Sequence, residues 1–479
     1  YIGYFSRFTK INSRNENRNS FFLDQANSTQ AMSMCSQKLI KTVCFFLSIS
    51  ELHCSFGNYY ASLIHKNFTL LHMLKVSLGT GVLAMPKAFA NAGYLLGVIG
   101  TIIVGVLCTY TTQMLVQSEY ELSRRLRVPS MTYPQTFEAA FSEGPKRCRP
   151  FAKAAGSVFA FIFYFYHFFS LGCCVYMVFV ADNLKAVLDQ YIGTTDIRLY
   201  MACLLAPLII LCWFGNLKYL APLSFFGNSM TMICYCITFW YVLTDLPSFS
   251  TRKAVVDFKQ FPLFIGTALF AMEAISVIPL KNEMKRPAQF RGSFGVLNCS
   301  MVPITILYLL VGLGGYLNTG ISPVFLSLFS LSFFRPAQCV KLMLAFSVLI
   351  SNTVLTYVTS TILWEEFLKS RFENSKRKVV WELSARAFLV LATFVIAASI
   401  PNLELFISLI GALGLANLGL AFPVIAETLT FWDRYHGCWF FFFILKNICL
   451  LLAAIYAFII GGATSIITIY EKLMDGTLF

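Results

Sequence analysis

The sequence predicts an all-α polytopic membrane protein whose single transmembrane domain contains eleven helices. Two observations lead to this prediction. Hydrophobic residues make up 57% of the 479 positions and charged residues only 13%, which leaves too little polar surface to cover a soluble core. The apolar runs from residue 69 onward are about twenty residues long, the length that a helix needs to cross the hydrocarbon of a bilayer.

The predicted spans follow one another closely along the chain. They fall near residues 70–92, 94–117, 154–181, 198–215, 217–243, 261–280, 293–317, 339–363, 385–400, 402–426 and 438–462. We assign residues 67–470 to the transmembrane domain, residues 471–479 to a short C-terminal tail, and residues 1–66 to an N-terminal tail that is disordered or not native protein sequence. Residues 38–50, with a basic start and a short apolar run, could instead be a signal-peptide core.

The basic residues are concentrated in alternate loops, after the second, sixth and eighth predicted spans. By the positive-inside rule, this pattern places the N-terminus in the cytosol and the C-terminus outside the cell or in a lumen. The net charge of +14 is spread among these loops and gathers on no single face, so it indicates membrane orientation and not nucleic-acid binding.

The first predicted span contains small and polar residues at mid-membrane depth, in the order Ser77, Gly79, Thr80 and Gly81. Unwound backbone is tolerated inside a bilayer where it lines a cavity, and transporters place substrate sites at such breaks. The N–H groups at Gly79, Thr80 and Gly81 would then begin a second half-helix, whose positive dipole end suits a carboxylate. The alternative is a surface of small residues that only packs against a neighbouring helix.

The sixth predicted span repeats this feature. The segment that starts at Ile265 (IGTALFAM) aligns without gaps on the segment that starts at Leu78 (LGTGVLAM), with Gly, Thr, Ala and Met in register. The two segments lie five spans apart, where an inverted five-plus-five repeat would place its second broken helix. The repeat therefore predicts discontinuous helices in spans one and six.

Glu273 follows the repeated segment directly and is an acid in an otherwise uncharged span. A carboxylate in hydrocarbon costs several kcal/mol unless it is paired or protonated. Glu273 is therefore a candidate proton carrier, and the alternative is a structural hydrogen bond to another helix.

We consider three further titratable residues of the predicted spans. His72, about two helical turns before Gly79 on the same face, could carry a proton, or His72 and Lys75 could simply mark the cytosolic interface. His167 is interpreted as a hydrogen-bonded interior histidine. The five histidines are scattered and no cysteine spacing suits zinc, so we predict no metal site, no cofactor and no enzyme.

Five segments resemble the proton-coupled amino acid transporters of the amino acid/auxin permease superfamily. The segments start at His72 (HMLKVSLGTGVLAMPKAFANAG), Cys173 (CCVYMVFVADNLK), Asn216 (NLKYLAPLSFFGN), Gly266 (GTALFAMEAISVIPL) and Ile400 (IPNLELFISLIGALG). The resemblance covers residues 69–470. It implies a LeuT-like fold with discontinuous helices one and six, and symport of small neutral amino acids such as glycine, alanine and proline with a proton, at the plasma or lysosomal membrane.

The resemblance also assigns residues. It places His72 on the family's proton-coupling histidine, whereas Tyr110 stands where vertebrate members carry a second histidine. The family's usual PLENEM sequence reads PLKNEM here, with Lys281 in place of an acid. The first difference weakens a relay of two histidines, and the second adds a positive charge near the site.

From these observations we expect the substrate carboxylate at Gly79, Thr80 and Gly81, with the ammonium on carbonyls around Phe270, Ala271 and Met272. His72 or Glu273 would carry the coupling proton, and no other cofactor is expected. A rival hypothesis is a transceptor, which binds amino acids and signals to growth control through the basic cytosolic loops 119–153 and 366–386 while moving little substrate. These loops could equally contact anionic lipid.

Overall fold

The computed structural model describes most of the predicted transmembrane domain. The described residues are 79–169, 173–213, 252–273, 287–292, 294–319, 335–364, 377–400 and 402–475, together with short stretches or single positions at 73, 226–227, 229–231, 233–235, 237–238, 281, 284 and 368. The predicted N-terminal tail lies outside them. All statements below on what is present or absent concern the described residues.

The described residues are mainly helical. The helices with defined bounds are α1 (Thr80–Ala92), α2 (Tyr94–Leu126), α3 (Tyr133–Ser142), α4 (Ala152–Phe169), α5 (Cys173–Ile192), α6 (Ile197–Trp213), α7 (Phe261–Ala271), α8 (Val296–Thr319), α9 (Arg335–Leu363), α10 (Lys378–Ser399), α11 (Leu403–Thr430) and α12 (Cys438–Met474). Further helical residues lie between Phe226 and Thr238, in the fifth predicted span. Residues 411–421 of α11 and 457–461 of α12 are π-helical.

Six of these helices, in the part of the chain that is described, are long and apolar enough to cross a membrane. They are α2, α8, α11, α12, α10 and the portion of α9 from Gln338 to Tyr357. A seventh is added if α5 and α6, which meet at an angle of 113°, count as one bent span. The prediction of an all-helical membrane protein is confirmed at this level, whereas the number eleven stays a prediction.

Several helices extend beyond the predicted span limits. The second span is predicted to end at residue 117, but α2 continues to Leu126, and the third is predicted to end at 181, but α5 continues to Ile192. Likewise α10 begins before the predicted residue 385 and α12 continues beyond the predicted residue 462. Polar residues just beyond the limits of the second and third spans do not end α2 and α5. In the helices they bond to the preceding turn: Ser118 Oγ donates to the Met114 carbonyl at 2.8 Å, and Asn183 Nδ2 donates to the Phe179 carbonyl at 2.8 Å.

The short helix α3 connects the end of α2 to α4, and its start has a complete capping box. Thr132 Oγ1 accepts from the Gln135 backbone N–H, while the Gln135 side chain accepts from the Thr132 backbone N–H at 2.9 Å. Tyr133, the first residue of α3, donates its hydroxyl to the Leu418 carbonyl at 2.7 Å. This bond fixes the connection against the π-helical part of α11.

Helix α7 lies at the centre of the bundle, where it packs against α1, α2 and α11. Glycines permit backbone contact on the α11 side: a Cβ at Gly411 would clash with the Gly266 carbonyl oxygen, and one at Gly266 would clash with the Ser408 carbonyl oxygen. Ser408 Oγ also donates to the Leu263 carbonyl at 3.1 Å. The packing of α7 therefore depends on the absence of side chains at these two glycines.

We expect Gly411→Ala to destabilise the protein by about 1–3 kcal/mol or more, because the added methyl group meets backbone that cannot rotate away. Thermal unfolding of the detergent-solubilised protein, followed by loss of the monodisperse peak, measures the effect. Val395→Ala on α10 is the matched control, since that side chain is 62% exposed and its loss should change stability by less than about 0.5 kcal/mol. Equal stability of the two variants would contradict the packing described here.

Candidate functional site

The start of α1 and the end of α7 meet inside the bundle. A Cβ at Gly81 would lie 2.8 Å from Ala271 Cα, so the two backbones are in contact. Thr80, Ala271 and Met272 are buried there. The structure thus brings together two predicted groups of site residues, 79–81 and 270–273, that are almost two hundred positions apart in sequence.

The N-terminus of α1 has backbone donors without a partner in their own helix. Gly79 is the N-cap residue, with extended backbone (φ −99°, ψ −161°) and no side-chain cap. Its carbonyl accepts the first helical bond, from the Val82 N–H at 3.2 Å. The N–H groups of Thr80 and Gly81 have no acceptor within the helix, and the helix dipole adds partial positive charge at this end. The end of α1 is therefore suited to an anionic group.

The C-terminus of α7 has the opposite polarity. The helix ends at Ala271, and the Met272 N–H closes the last bond to the Ala268 carbonyl at 3.0 Å. The last carbonyls of a helix have no intrahelical partner, and the dipole gives them partial negative charge. Two adjoining helix ends of opposite polarity match the two charges of a zwitterion.

Glu273 lies just beyond the end of α7 and is half-buried. Its carboxyl group is within electrostatic range of Cys108 on α2, Tyr176 on α5 and Tyr308 on α8. These three residues belong to three different helices. Their relation to Glu273 was not visible in the sequence, because each residue reads as ordinary core packing within its own span.

Tyr235, in the fifth predicted span, contacts the start of α1 directly. Its hydroxyl donates to the Gly79 carbonyl at 3.0 Å, and its side chain is 5% exposed. This bond gives the Gly79 carbonyl a second donor beside the Val82 N–H. Sequence reasoning missed Tyr235, since nothing in its local segment distinguishes it from a packing tyrosine.

A hydrogen bond and an ion pair join the C-terminal half of α1 to the start of α11. Glu404 accepts from Asn91 Nδ2 at 2.7 Å and forms an ion pair with Lys87 Nζ at 3.6 Å. Lys87 lies about two turns beyond Gly79, roughly 12 Å along the helix. These polar contacts therefore hold α1 against α11 on one side of the candidate site.

A buried ion pair lies on the opposite side. Lys281 pairs with Glu119 of α2, and both side chains are almost fully buried. The Met131 backbone N–H also donates to Glu119 Oε1, at 3.4 Å. The pair explains how Lys281, where the family usually has an acid, is accommodated: the positive charge of Lys281 meets a carboxylate on the neighbouring helix.

A second intramembrane ion pair links α11 to α12. Lys446 Nζ lies 2.7 Å from Glu427 Oε2 and 5.3 Å from the centre of the Tyr110 ring. At the next residue of each helix, Asn447 Nδ2 donates to Thr428 Oγ1 at 2.9 Å. Tyr110, which stands where vertebrate members of the family carry a histidine, is thus a neighbour of a lysine. Lys446 is the single charge in the apolar run CWFFFFILKNICLLL. A charge in such a run indicates a buried partner, so this ion pair could have been predicted in part from the sequence.

Several predicted residues are not covered. His72, Lys75 and Ser77 lie outside the described residues, and His167 lies in α4 with its side chain outside the described part. Among the described residues, no group of three or more His, Cys, Asp or Glu side chains could hold a metal ion.

The family model described as transmembrane amino acid transporter protein matches residues 68–467. Among individual relatives, the Drosophila melanogaster "Proton-coupled amino acid transporter-like protein pathetic" is 36% identical over 403 residues, which cover 84% of each chain. The Caenorhabditis elegans "Probable amino acid transporter skat-1" is 25% identical over 418 residues, which cover 84% of this chain and 90% of that one. The resemblance found in the sequence is thereby confirmed.

Among solved structures, the inward-facing conformation of Mhp1 matches with a TM-score of 0.50 and 12% sequence identity, over 87% of this chain and 93% of that one. Mhp1 is a transporter of the nucleobase-cation-symport-1 family. At this level of identity, the likeness concerns the fold alone.

We expect Glu427→Gln and Lys446→Met each to destabilise the protein by about 1–3 kcal/mol, because each leaves a charge of the opposite sign without its partner. The double variant should lose less than the sum of the two, since neither charge remains. Thermal unfolding of the four proteins measures the coupling, with the exposed Lys259→Met as control. Strictly additive losses would show that the pair contributes no interaction energy.

Proposed function

Because the chain belongs to the transmembrane amino acid transporter family, we propose that it is a proton-coupled symporter of small neutral amino acids, of the glycine, alanine and proline class. The chain is an integral membrane protein, and its relatives are transporters and not enzymes. The name of the Drosophila relative includes proton coupling, and we propose the same coupling for this chain.

The observation that carries this proposal is the meeting of the two helix ends beside Glu273. The substrate carboxylate would bind the N–H groups at Gly79, Thr80 and Gly81, and its ammonium group would bind carbonyls at the end of α7, around Phe270, Ala271 and Met272. These two binding regions have the polarity that a zwitterionic amino acid requires. Ser77, immediately before them, would complete the site.

Contact between the two backbones supports the restriction to small substrates. A Cβ at Gly81 would already approach Ala271 Cα to 2.8 Å, so little volume is free between the helix ends. A substrate with a short side chain can place both of its charged groups there.

The helix bounds also support the LeuT-like arrangement with discontinuous helices one and six. Helix α1 begins at Thr80, in the middle of the first predicted span, and α7 ends at Ala271, in the middle of the sixth. Each helix would be one half of a broken span, with the breaks facing each other. Alternating access would then move spans one, two, six and seven against the remaining spans, and the proton gradient would bias which side opens.

Glu273 and His72 are the proposed proton carriers. Glu273 is half-buried just beyond the end of α7, and a carboxylate within a membrane span costs several kcal/mol unless it is paired or protonated. A proton bound there would cross the membrane together with the substrate. We place the protein in the plasma or lysosomal membrane with a cytosolic N-terminus and an exoplasmic C-terminus, and any growth-signalling partner on the cytosolic loops.

We expect alanine uptake by cells that express the full chain to be several-fold faster at external pH of about 5.5 than of about 7.5. Glu273→Gln and His72→Ala should each reduce uptake and flatten its dependence on pH, because each removes a proposed proton carrier. Radiolabelled uptake of alanine, glycine and proline measures this, with surface or lysosomal delivery quantified for every variant.

Glu471→Gln, at an exposed position near the end of α12, is the matched control and should transport like the parent protein. A correctly delivered protein that binds alanine but moves none at either pH would contradict symport and favour the transceptor. Uptake without any dependence on pH would contradict proton coupling.

A further inference from the structure

A groove on the outer face of the bundle lies between α2 and α8. Its volume is about 400 Å³, within the range of sites that bind small molecules. Helix α2 contributes Ile102, Val106, Tyr110 and Gln113 to its walls, and α8 contributes Val302 and Ile306. Both helices are long and apolar enough to cross a membrane. The groove therefore lies within the bilayer.

The floor of the groove is formed where α2 and α8 touch. A Cβ at Gly105 would clash with the Thr305 side chain, so the two helices meet there without a side chain on α2. Thr109 Oγ1 donates to the Gly105 carbonyl at 2.7 Å. Thr305 Oγ1 donates to the Met301 carbonyl at 2.8 Å. Because both hydroxyl protons are bound by their own helices, these two groups offer no proton to a ligand.

The walls of the groove are apolar and face the lipid. Val106 is 63% exposed, Val302 59% and Ile306 53%. Such exposure in a membrane-spanning helix means contact with acyl chains, because the hydrocarbon contains no water. From Ile102 to Gln113 the groove follows α2 for about 16 Å, close to half of a hydrocarbon thickness of about 30 Å. Its length and polarity thus match one acyl chain of one leaflet.

Polar side chains close the groove at the end near the C-terminus of α2. Gln113 Nε2 donates to Asn298 Oδ1, and Asn298 Nδ2 donates to the Gly292 carbonyl at 3.1 Å. The next residue, Arg291, is exposed, and its Cζ lies 4.5 Å from the centre of the Tyr120 ring. Tyr120 is on the same face of α2 as Gln113, two turns and about 10 Å further along. The groove therefore leads directly to a guanidinium group.

This end of the groove carries net positive charge. Arg124, one turn after Tyr120 on the same face of α2, has a side chain that is 69% exposed. Arg124 and Arg125 share one partner, Glu121 Oε1, at 3.1 Å each. The described residues from Tyr120 to Arg125, together with Arg291, thus supply three guanidinium groups and one carboxylate. A phosphate group at this position would meet the donors that bind it best.

We propose that the groove between α2 and α8 binds an anionic phospholipid, with one acyl chain along Ile102, Val106 and Val302 and the phosphate at Arg291 and Arg124. The lipid is a second ligand of the protein, so its binding depends neither on the class of transported substrate nor on proton coupling.

The order of polarity along the groove favours a phospholipid with a negative headgroup. Hydrocarbon is required between Ile102 and Gln113, and an anion is required about 10 Å beyond, at the level of Tyr120. A choline headgroup would bring a cation next to the arginines, whereas a serine headgroup keeps a net negative charge. In the orientation proposed above, this end of α2 faces the cytosol, and the cytosolic leaflet is the one that carries anionic lipid.

The test measures how two lipids stabilise the purified full chain in a neutral detergent. Dioleoyl phosphatidylserine and dioleoyl phosphatidylcholine have identical acyl chains and differ in the charge of the headgroup. Because a ligand stabilises the folded state that binds it, we expect phosphatidylserine to raise Tm by about 2–4 °C more than phosphatidylcholine. Native mass spectrometry should detect phosphatidylserine that remains bound to the chain.

Two pairs of variants locate the binding site. Arg291→Gln should weaken phosphatidylserine binding about fivefold, the factor that one basic residue near an anionic headgroup represents. Its control is Arg147→Gln, which removes an exposed arginine from the connection between α3 and α4. Val106→Trp should abolish the stabilisation, because the indole ring fills the groove. Its control is Val395→Trp on α10, where the valine is 62% exposed. Both controls should bind the lipid like the parent protein.

Three results would overturn the proposed lipid site. Equal stabilisation by the two lipids would show that the headgroup charge is not recognised. Equal loss of binding in Arg291→Gln and Arg147→Gln would show that diffuse positive charge attracts the lipid. Stabilisation by cholesterol that Val106→Trp abolishes, without any effect of phosphatidylserine, would identify a sterol site instead. If thermal unfolding shows that Arg291→Gln does not fold, Arg124→Gln takes its place in the comparison.

Discussion

Contact between backbones around α7 is the constraint on which the rest of the structure depends. Gly81 and Ala271 join α7 to α1, and Gly266 and Gly411 join it to α11, with no side chains between them on the glycine faces. Because α7 is held this closely, its end at Ala271 faces the start of α1 at a fixed distance. The candidate site thus arises from packing of small residues, and its polar groups are backbone groups at two helix ends, which have no partner within their own helix.

The sequence could predict those parts of the site that are encoded locally. The glycine, serine and threonine residues before α1, the repeat of that pattern before Glu273, and the lone acid in an apolar span are each visible within one segment. The structure places both segments side by side, as the repeat implied. Helix ends were harder to predict, because Ser118 and Asn183 bond to their own helix backbone and therefore do not end α2 and α5 as polar residues often do.

The residues that sequence reasoning missed are those whose partners are distant in the chain. Tyr235 meets Gly79 across 156 positions, and Lys281 meets Glu119 through packing that no local pattern specifies. A tyrosine that only packs and a tyrosine that hydrogen-bonds another span look alike in a single sequence. The hydroxyl group of the second kind has a role only because a distant span supplies its acceptor. The charged pairs are different. Each charge within an apolar run indicates that a partner exists, and the structure is needed only to identify that partner.

The ion pair between Glu427 and Lys446 has a consequence for the synthesis of the protein. A charge in a transmembrane helix is costly on leaving the translocon for lipid, by about 2.5–3.5 kcal/mol at the helix centre and less toward the ends. Glu427 lies near the end of α11 and Lys446 near the middle of the first part of α12, with a connection of seven residues, 431–437, between the two helices. Either helix alone would carry its charge into hydrocarbon, whereas the two together carry a neutral pair. We conclude that α11 and α12 enter the bilayer most favourably as a preassembled helical hairpin, released sideways as one unit once the ribosome has delivered both.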